Sequence, residues 1–439
     1  MLYRETGVIF NVSGGHCMSN RVRVVAALLL AHCVAAAGTP LAFPGATGAA
    51  ATTPGGRGGE IIRVTTLAAA GPGSFVDAVR RPGKRIVVFE VGGVIDLAES
   101  TVKITEPYLT IAGQTAPAPG ITLIHGGIDI ADTHDVIVRH IRVRPGDGGR
   151  ARLSGGDYDA ISTIAAHDVI VDHCSLTWAT DENLSASGPR FTGNTPDEWR
   201  KGTSYRVTFS NNIIAEGLAD SVHIKGEHSK GSLIHDNVTD ILIIGNLYAH
   251  DKERSPLFKG GVRGAIVNNL IYDPGQRAIH YNLIAEEWGD HAYQTGEMAV
   301  IGNVLRGGQS TEPDLPLITI GGSGDVALFE QDNIAVDRWG RLLPMRGLYT
   351  TAPIRILKLP PPRIPGVAPM SARQVQDHVV KNAGAFPRDH TDARIVADTI
   401  EGRGYIINSQ SEWGGYPTET PAAQVFEPAK WDLDTMTAK

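Results

Sequence analysis

Arg254 opens an Arg-Ser-Pro triplet, and a second cation, Lys259, follows five residues later. An arginine can grip a carboxylate with two parallel hydrogen bonds, whereas a lysine offers a compact point charge. Acids stand upstream in two groups, Asp157 with Asp159 and Asp181 with Glu182. Residues two apart on a strand face the same side, so Asp157 and Asp159 could meet one cation. Adjacent residues on a strand point to opposite faces, so Asp181 and Glu182 would need a loop to converge. Two kinds of chemistry suit such a set. A divalent cation held by the acids could neutralise an acidic ligand, or paired carboxylates with one kept protonated could hydrolyse a glycosidic bond. Each acid also has a plain structural reading as a turn cap, and Arg254 as half of an ion pair.

The elements that would position these side chains repeat. Val136–His140 is echoed by Val169–His173, then by Val207–Asn212, Ile241–Asn246, Ile266–Asn269 and Val300–Asn303. Each unit is a short β-branched run ending in a small polar residue or His. The spacing of about 23 to 38 residues lies in the range of solenoid repeats. So short a strand cannot bury its apolar face alone, but copies stacked in parallel form a continuous core. Asn recurring at one register predicts amides bonded up and down the stack at a bend. Two-residue hairpin signals are scarce, which disfavours an antiparallel sandwich. The expected fold is therefore all-β, a right-handed parallel β-helix. The shortest spacing fits a bare coil, and the longer ones place loops where a groove can be built.

The flanks fit this plan. A short helix over Val76–Arg80 would cap the open N-terminal end, with strands at Ile86–Glu90 and Val94–Leu97. After about residue 335 the repeat fades. Pro360–Pro365 reads as an extended linker. Ser371 is a good N-cap for a helix carrying Val375, His378 and Val379 on one face, and Gly384 is a good stop. The tail, residues 336–439, is expected to pack along a catalytic solenoid of residues 43–335. Ahead of both, Met18–Arg23 is basic, Val24–Leu30 is apolar and Ala35-Ala36-Ala37 resembles a cleavage site. Residues 1–42 thus read as upstream sequence plus a secretory signal, with Met18 as the expected start and the mature protein secreted or periplasmic.

Composition narrows the partners. The formal charge is -7, which argues against nucleic acid. With 51 Gly, 26 Pro and only 20% charged residues among 439, the chain expects many turns and few long surface helices. No stretch beyond the signal is long and apolar enough for a membrane span. Of three cysteines, Cys17 and Cys33 fall in the leader. Cys174 then stands alone in an apolar strand pattern and reads as a small buried hydrophobe.

Several motifs now agree in order along the chain. Phe43-Pro44-Gly45-Ala46 is followed by Gly55–Gly59. Ile111–Pro117 contains Gly113-Gln114-Thr115-Ala116-Pro117. Asp159-Ala160-Ile161, Asp172-His173-Cys174-Ser175, Arg254-Ser255-Pro256 and Trp413-Gly414-Gly415-Tyr416-Pro417 come next. This series resembles the pectate lyases of polysaccharide lyase family one, across roughly residues 43–420, with a tail like that of one bacterial branch.

The resemblance implies β-elimination on pectate, an acidic plant cell-wall polysaccharide, giving 4,5-unsaturated oligogalacturonides. Removing the proton beside a uronate carboxylate needs positive charge on that carboxylate and a base near the proton. It further implies Ca²⁺ as cofactor, with Asp159 and Asp181 as its leading ligands and Asp157 and Glu182 as further candidate ligands. Where the family places a further Asp, this chain has Ser185. Arg254 takes the place of the catalytic base, Lys259 that of a second cation, and Lys230 that of a substrate-binding lysine. His173 reads as a stacked or hydrogen-bonded turn residue rather than a base. A monomer is expected. Two other functions stay open: a polygalacturonase-like hydrolase on the same solenoid, whose Gly-His-Gly and Arg-Ile-Lys signatures are missing, and a non-catalytic polysaccharide-binding β-helix.

Overall fold

Val136, Val138, Val169, Val171, Val207 and Phe209 are fully buried and lie in register, Val136 beside Val169 beside Val207. That column is the inner face of one sheet of a solenoid. The computed structural model describes residues 39–361 and 366–439; residues 1–38 of the expected leader and most of the expected linker lie outside the described residues, whereas Ala42, placed in the leader by the sequence, packs with Phe43 against Ile137 and Ile170.

Among the described residues the strands stack into three long sheets, apart from one two-stranded hairpin. A single coil shows the plan. Thr239–Ile244 lies in an eleven-stranded sheet, Leu247–Ala249 in a ten-stranded sheet and Leu257–Lys259 in a nine-stranded sheet, before Arg263–Val267 starts the next coil. Every pairing between coils is parallel; the one antiparallel addition is Ala422–Ala423 on Val91. This is a parallel β-helix. One continuous apolar cluster runs inside it from Ile62 to Leu343.

The bend between the first two sheets is tight because it rests on one backbone conformation and one amide. His140, His173, Asn211, Gly245, Asn268 and Gly302 all have φ between 52° and 69°. The residue after Asn211, Gly245, Asn268 and Gly302 is an Asn. Asn212 Nδ2 donates to Asn246 Oδ1 at 2.9 Å, Asn246 to Asn269 at 2.9 Å, and Asn269 to Asn303 at 3.0 Å. Each Oδ1 also accepts the backbone N–H of the preceding Asn. In the earlier coils His140 and His173 stack at 5.0 Å instead. His173 Nδ1 lies 2.8 Å from Asp172, so His173 is a structural turn residue.

Among the described residues five α-helices punctuate the strands: α1 (Phe75–Arg80), α2 (Pro196–Gly202), α3 (Ala285–Trp288), α4 (Ala372–Asn382) and α5 (His390–Glu401). Ser74 caps α1 by accepting from Asp77 N at 3.1 Å, and Phe75, Val76, Ala78 and Val79 are buried against the first coil. Helix α4 buries Ala372, Val375 and Val379 on Ile213, Ala215, Leu247 and Leu270 of the ten-stranded sheet. Helix α5 adds Ile395 and Val396 to the same contact, a second tail helix beyond the one expected. Its run of Ile, Val and Thr has weak helix propensity, and packing outweighs that.

The solenoid does not end at residue 335. Arg346–Leu348 still pairs with Ile318–Ile320, and Ile354–Ile356 with Val326–Leu328. These last strands are mostly exposed on both faces, so the apolar signal fades while the ladder continues.

Candidate active site

The nine-stranded sheet forms the floor of a groove. Loops that lead into its strands carry Glu182, Lys230, Glu253 and Arg254. The segments that leave them carry Arg190, on a loop, and Glu287, in the short helix α3. The main cavity holds about 630 Å³ and is lined by all six. A second hollow of about 490 Å³ adjoins it through Asp181 and Glu182, and reaches Asp129, Asp157, Asp159, Ser162 and Ser185.

Glu182, Lys230 and Glu253 occupy one register on three successive coils, joined by parallel bridges. Arg254 follows, with φ of 66°, a left-handed conformation that is uncommon outside glycine. Its guanidinium is ion-paired with Glu182. Burial lowers the pKa of Arg254, against the pull of Asp181 and Asp159. Burial likewise lowers Lys230, which faces Asp181 and Glu253.

Oxygen atoms of Asp159, Asp181 and Glu182 lie within 4.8 Å of one another. Asp159 also accepts from Ser162 Oγ and, at 3.0 Å, from Glu182 N. Burial and the neighbouring Asp181 push the Asp159 carboxyl up to about 7. Converging acids of this kind, with oxygen donors only, fit a hard cation such as Ca²⁺. Asp157 is not in that group. Residues 151–160 are not in a strand, which begins at Ile161, so the same-face argument for Asp157 and Asp159 fails; Asp157 is exposed at the rim of the hollow. Ser185, where the resemblance implied an acid, is buried in the hollow's wall, beside Ser162 in the strand ladder.

Lys259 is buried beneath the groove, but two acids already hold it: it is ion-paired with Glu287, and its Nζ is 3.6 Å from Asp236. Sequence reasoning missed those acids. It also missed Arg277, whose side chain lines the groove and donates to Glu253 at 2.6 Å. The bare coil between Asn246 and Asn269 spans 23 residues, and the same step from Arg254 reaches Arg277, so the repeat itself carried the signal. His223 and His228 were also missed as neighbours of Asp181. Their Nε2 atoms lie 3.7 and 3.5 Å from its carboxylate, and burial lowers both.

No family model matches the chain. Over 417 residues it is 32% identical to "Probable pectate lyase C" of Aspergillus flavus, covering 90% of this chain and 88% of that one. The chain belongs to the pectate lyase family. A relative of the same name from Emericella nidulans is 38% identical over 235 residues, 54% of this chain and 48% of the other. Solved structures agree on the fold. The cedar pollen allergen jun a 1 covers 77% of this pectate lyase-family chain and 92% of its own at a TM-score of 0.52 and 15% identity. Pectate lyase Bsp165PelA from Bacillus sp. N165, in complex with trigalacturonate, covers 77% and 98% at 0.53 and 14%.

Proposed function

We propose that this protein is an exported lyase that cleaves polygalacturonate by Ca²⁺-assisted β-elimination. The observation that carries the reading is a half-buried arginine, Arg254, set beside a convergent group of acids along one side of the groove. Ca²⁺ held by Asp159, Asp181 and Glu182 would supply positive charge to the substrate carboxylate. Lys230 and Lys259 would bind further carboxylates. Arg254 would take the proton from C5. An arginine is a poor base because its pKa is normally above about 12, and burial shifts Arg254 in the direction the reaction needs. Its pair with Glu182 must open for a guanidinium nitrogen to approach the sugar ring, and a Glu182 that turns towards a bound cation frees it. Asp157, at the rim, is left as an outer neighbour of the cation site.

The deciding experiment is ultraviolet absorbance during incubation with polygalacturonate, with and without a chelator. Unsaturated product that needs Ca²⁺ supports the lyase. The raised Asp159 favours one second reading, a hydrolase with a protonated acid, because that chemistry also keeps one carboxyl neutral. New reducing ends without the absorbance would establish it. Neither signal would leave a binding protein.

A further inference from the structure

On the side of the groove across the sheet from Arg254, four charges interlock. Arg190 donates through Nε to Asp236 Oδ2 at 2.9 Å and through Nη2 to Glu287 Oε2 at 2.7 Å. Lys259 is ion-paired with that same Glu287 oxygen and lies 3.6 Å from Asp236. The two acids differ in how they are held. Asp236 is fully buried and also accepts from Trp288 Nε1 at 2.8 Å. The Glu287 side chain is 30% exposed, faces the cavity and, among the described residues, is tied only to the two cations. Its backbone is fixed, because the next residue in α3, Trp288, is buried against Phe191 and Trp199. The Glu287 carboxylate can therefore leave while the wall that carries it stays in place.

A carboxylate seated between an arginine and a lysine, in a groove read here as binding polyuronate, occupies the place of a ligand group. We propose that Arg190 and Lys259 form a carboxylate-binding subsite, and that Glu287 is an internal carboxylate that fills it until a substrate uronate takes its place. The inference rests on the polyuronate reading of the groove. It adds Arg190 as a substrate-positioning residue, and it makes binding an exchange of one carboxylate for another. A neutral methyl ester brings no charge to that exchange, so the subsite selects free acid.

Glu287→Gln tests this, since it keeps the shape of the side chain and leaves the Trp288 anchor untouched. Trigalacturonate binding, measured by calorimetry in Ca²⁺, should tighten roughly tenfold, the scale of one charge-assisted hydrogen bond. The KM for polygalacturonate should fall with it, and the effect should sit in KM rather than kcat. Affinity should also become more sensitive to salt, because the variant gains an ion pair on binding where the parent only exchanges one. In the Glu287→Gln background, Arg190→Ala should weaken binding again and Arg190→Lys should recover part of the loss. A Glu287→Gln protein with a lower melting temperature but unchanged affinity and salt dependence would overturn the proposal, since the cluster would then be only structural. Absence of unsaturated product from every variant would defeat the lyase reading instead, and the binding arm would still decide the subsite.

Discussion

Arg254 and Glu182, two coils apart in the chain, meet in one ion pair along the groove. On the proposed reading, proton abstraction and cation binding, separate in sequence, would share that contact. A cation that drew on Glu182 would then loosen the hold on Arg254, and the pair would link metal occupancy to the freedom of the proposed base.

Arg254→Lys should fold normally and still bind trigalacturonate. The lysine keeps a charge near Glu182 but loses the planar fork. Turnover should fall by roughly 10²–10⁴-fold, as for loss of a positioned acid–base group. Initial rates by ultraviolet absorbance, with circular dichroism melts as a control for folding, check this. Near parental turnover in a well-folded variant would remove Arg254 from the chemistry.

Asp159 sets a pH dependence. Burial and Asp181 raise its carboxyl to about 7, above the ordinary value near 4. A raised acid favours the folded state most when protonated. The metal-free protein should therefore gain stability from this group as pH falls from about 7 towards 4. Ca²⁺ needs the ionised form, so its apparent affinity should rise with pH through about 7, and binding near pH 6 should release a proton. Calorimetry in buffers of different ionisation enthalpy measures that release. Asp159→Asn should raise the Ca²⁺ needed for activity, and full activity of the parent in excess chelator would count against any metal role.

The amide ladder ties the bends of successive coils together. Asn246 Oδ1 accepts from both Asn212 N and Asn212 Nδ2, while its Nδ2 donates to Phe209 O and Asn269 Oδ1. Asn246→Ala strands several buried groups at once. The expected cost is about 2–4 kcal/mol, from a buried donor or acceptor costing roughly 1–3 kcal/mol each with partial relaxation. Denaturant unfolding of the variant tests it. An effect well under 1 kcal/mol would mean that strand pairing alone fixes the bend.

What the sequence made legible was what repeats. Val169, Val207 and Ile241 declare a buried face, and the Asn run declares a bend, because every coil needs both. Arg254, Asp181 and Glu182 were visible through their motifs. The charge pairing on the groove's other side was not, although the segment from Glu286 to Tyr293 reads as partly covering a groove. Arg190 and Glu287 sit on insertions of unequal length that leave different strands, with no common spacing to betray that they meet. Asp157 misled for a related reason: two residues of sequence separation say which way a side chain points only inside a regular strand, and that strand starts at Ile161.

The tail is held by a buried charge cluster, and its members should not be equal. Arg144 donates to Asp389 at 2.7 and 3.0 Å and to Asp392 at 2.9 Å, while Arg142 donates to Asp392 at 3.1 Å. All four side chains are at most 2% exposed. The two arginines pull Asp389 well below the usual carboxylate range, but burial and repulsion from Asp389 push Asp392 up. Asp389 also caps α5 by accepting from Asp392 N at 3.0 Å. Neutralising Asp389 therefore removes both a favoured charge and a helix cap, whereas neutralising Asp392 relieves a repulsion. Asp389→Asn should lower the melting temperature clearly more than Asp392→Asn does. Arg144→Met should cost most, about 3–5 kcal/mol, because it leaves two buried acids short of a partner. Adding Asp392→Asn to Arg144→Met should recover part of that loss, since it deletes one of the orphaned charges. Thermal melts of the three single variants and the double variant give the comparison. Equal losses for Asp389→Asn and Asp392→Asn would show that apolar packing of α4 and α5, rather than the charge cluster, holds the tail on the solenoid.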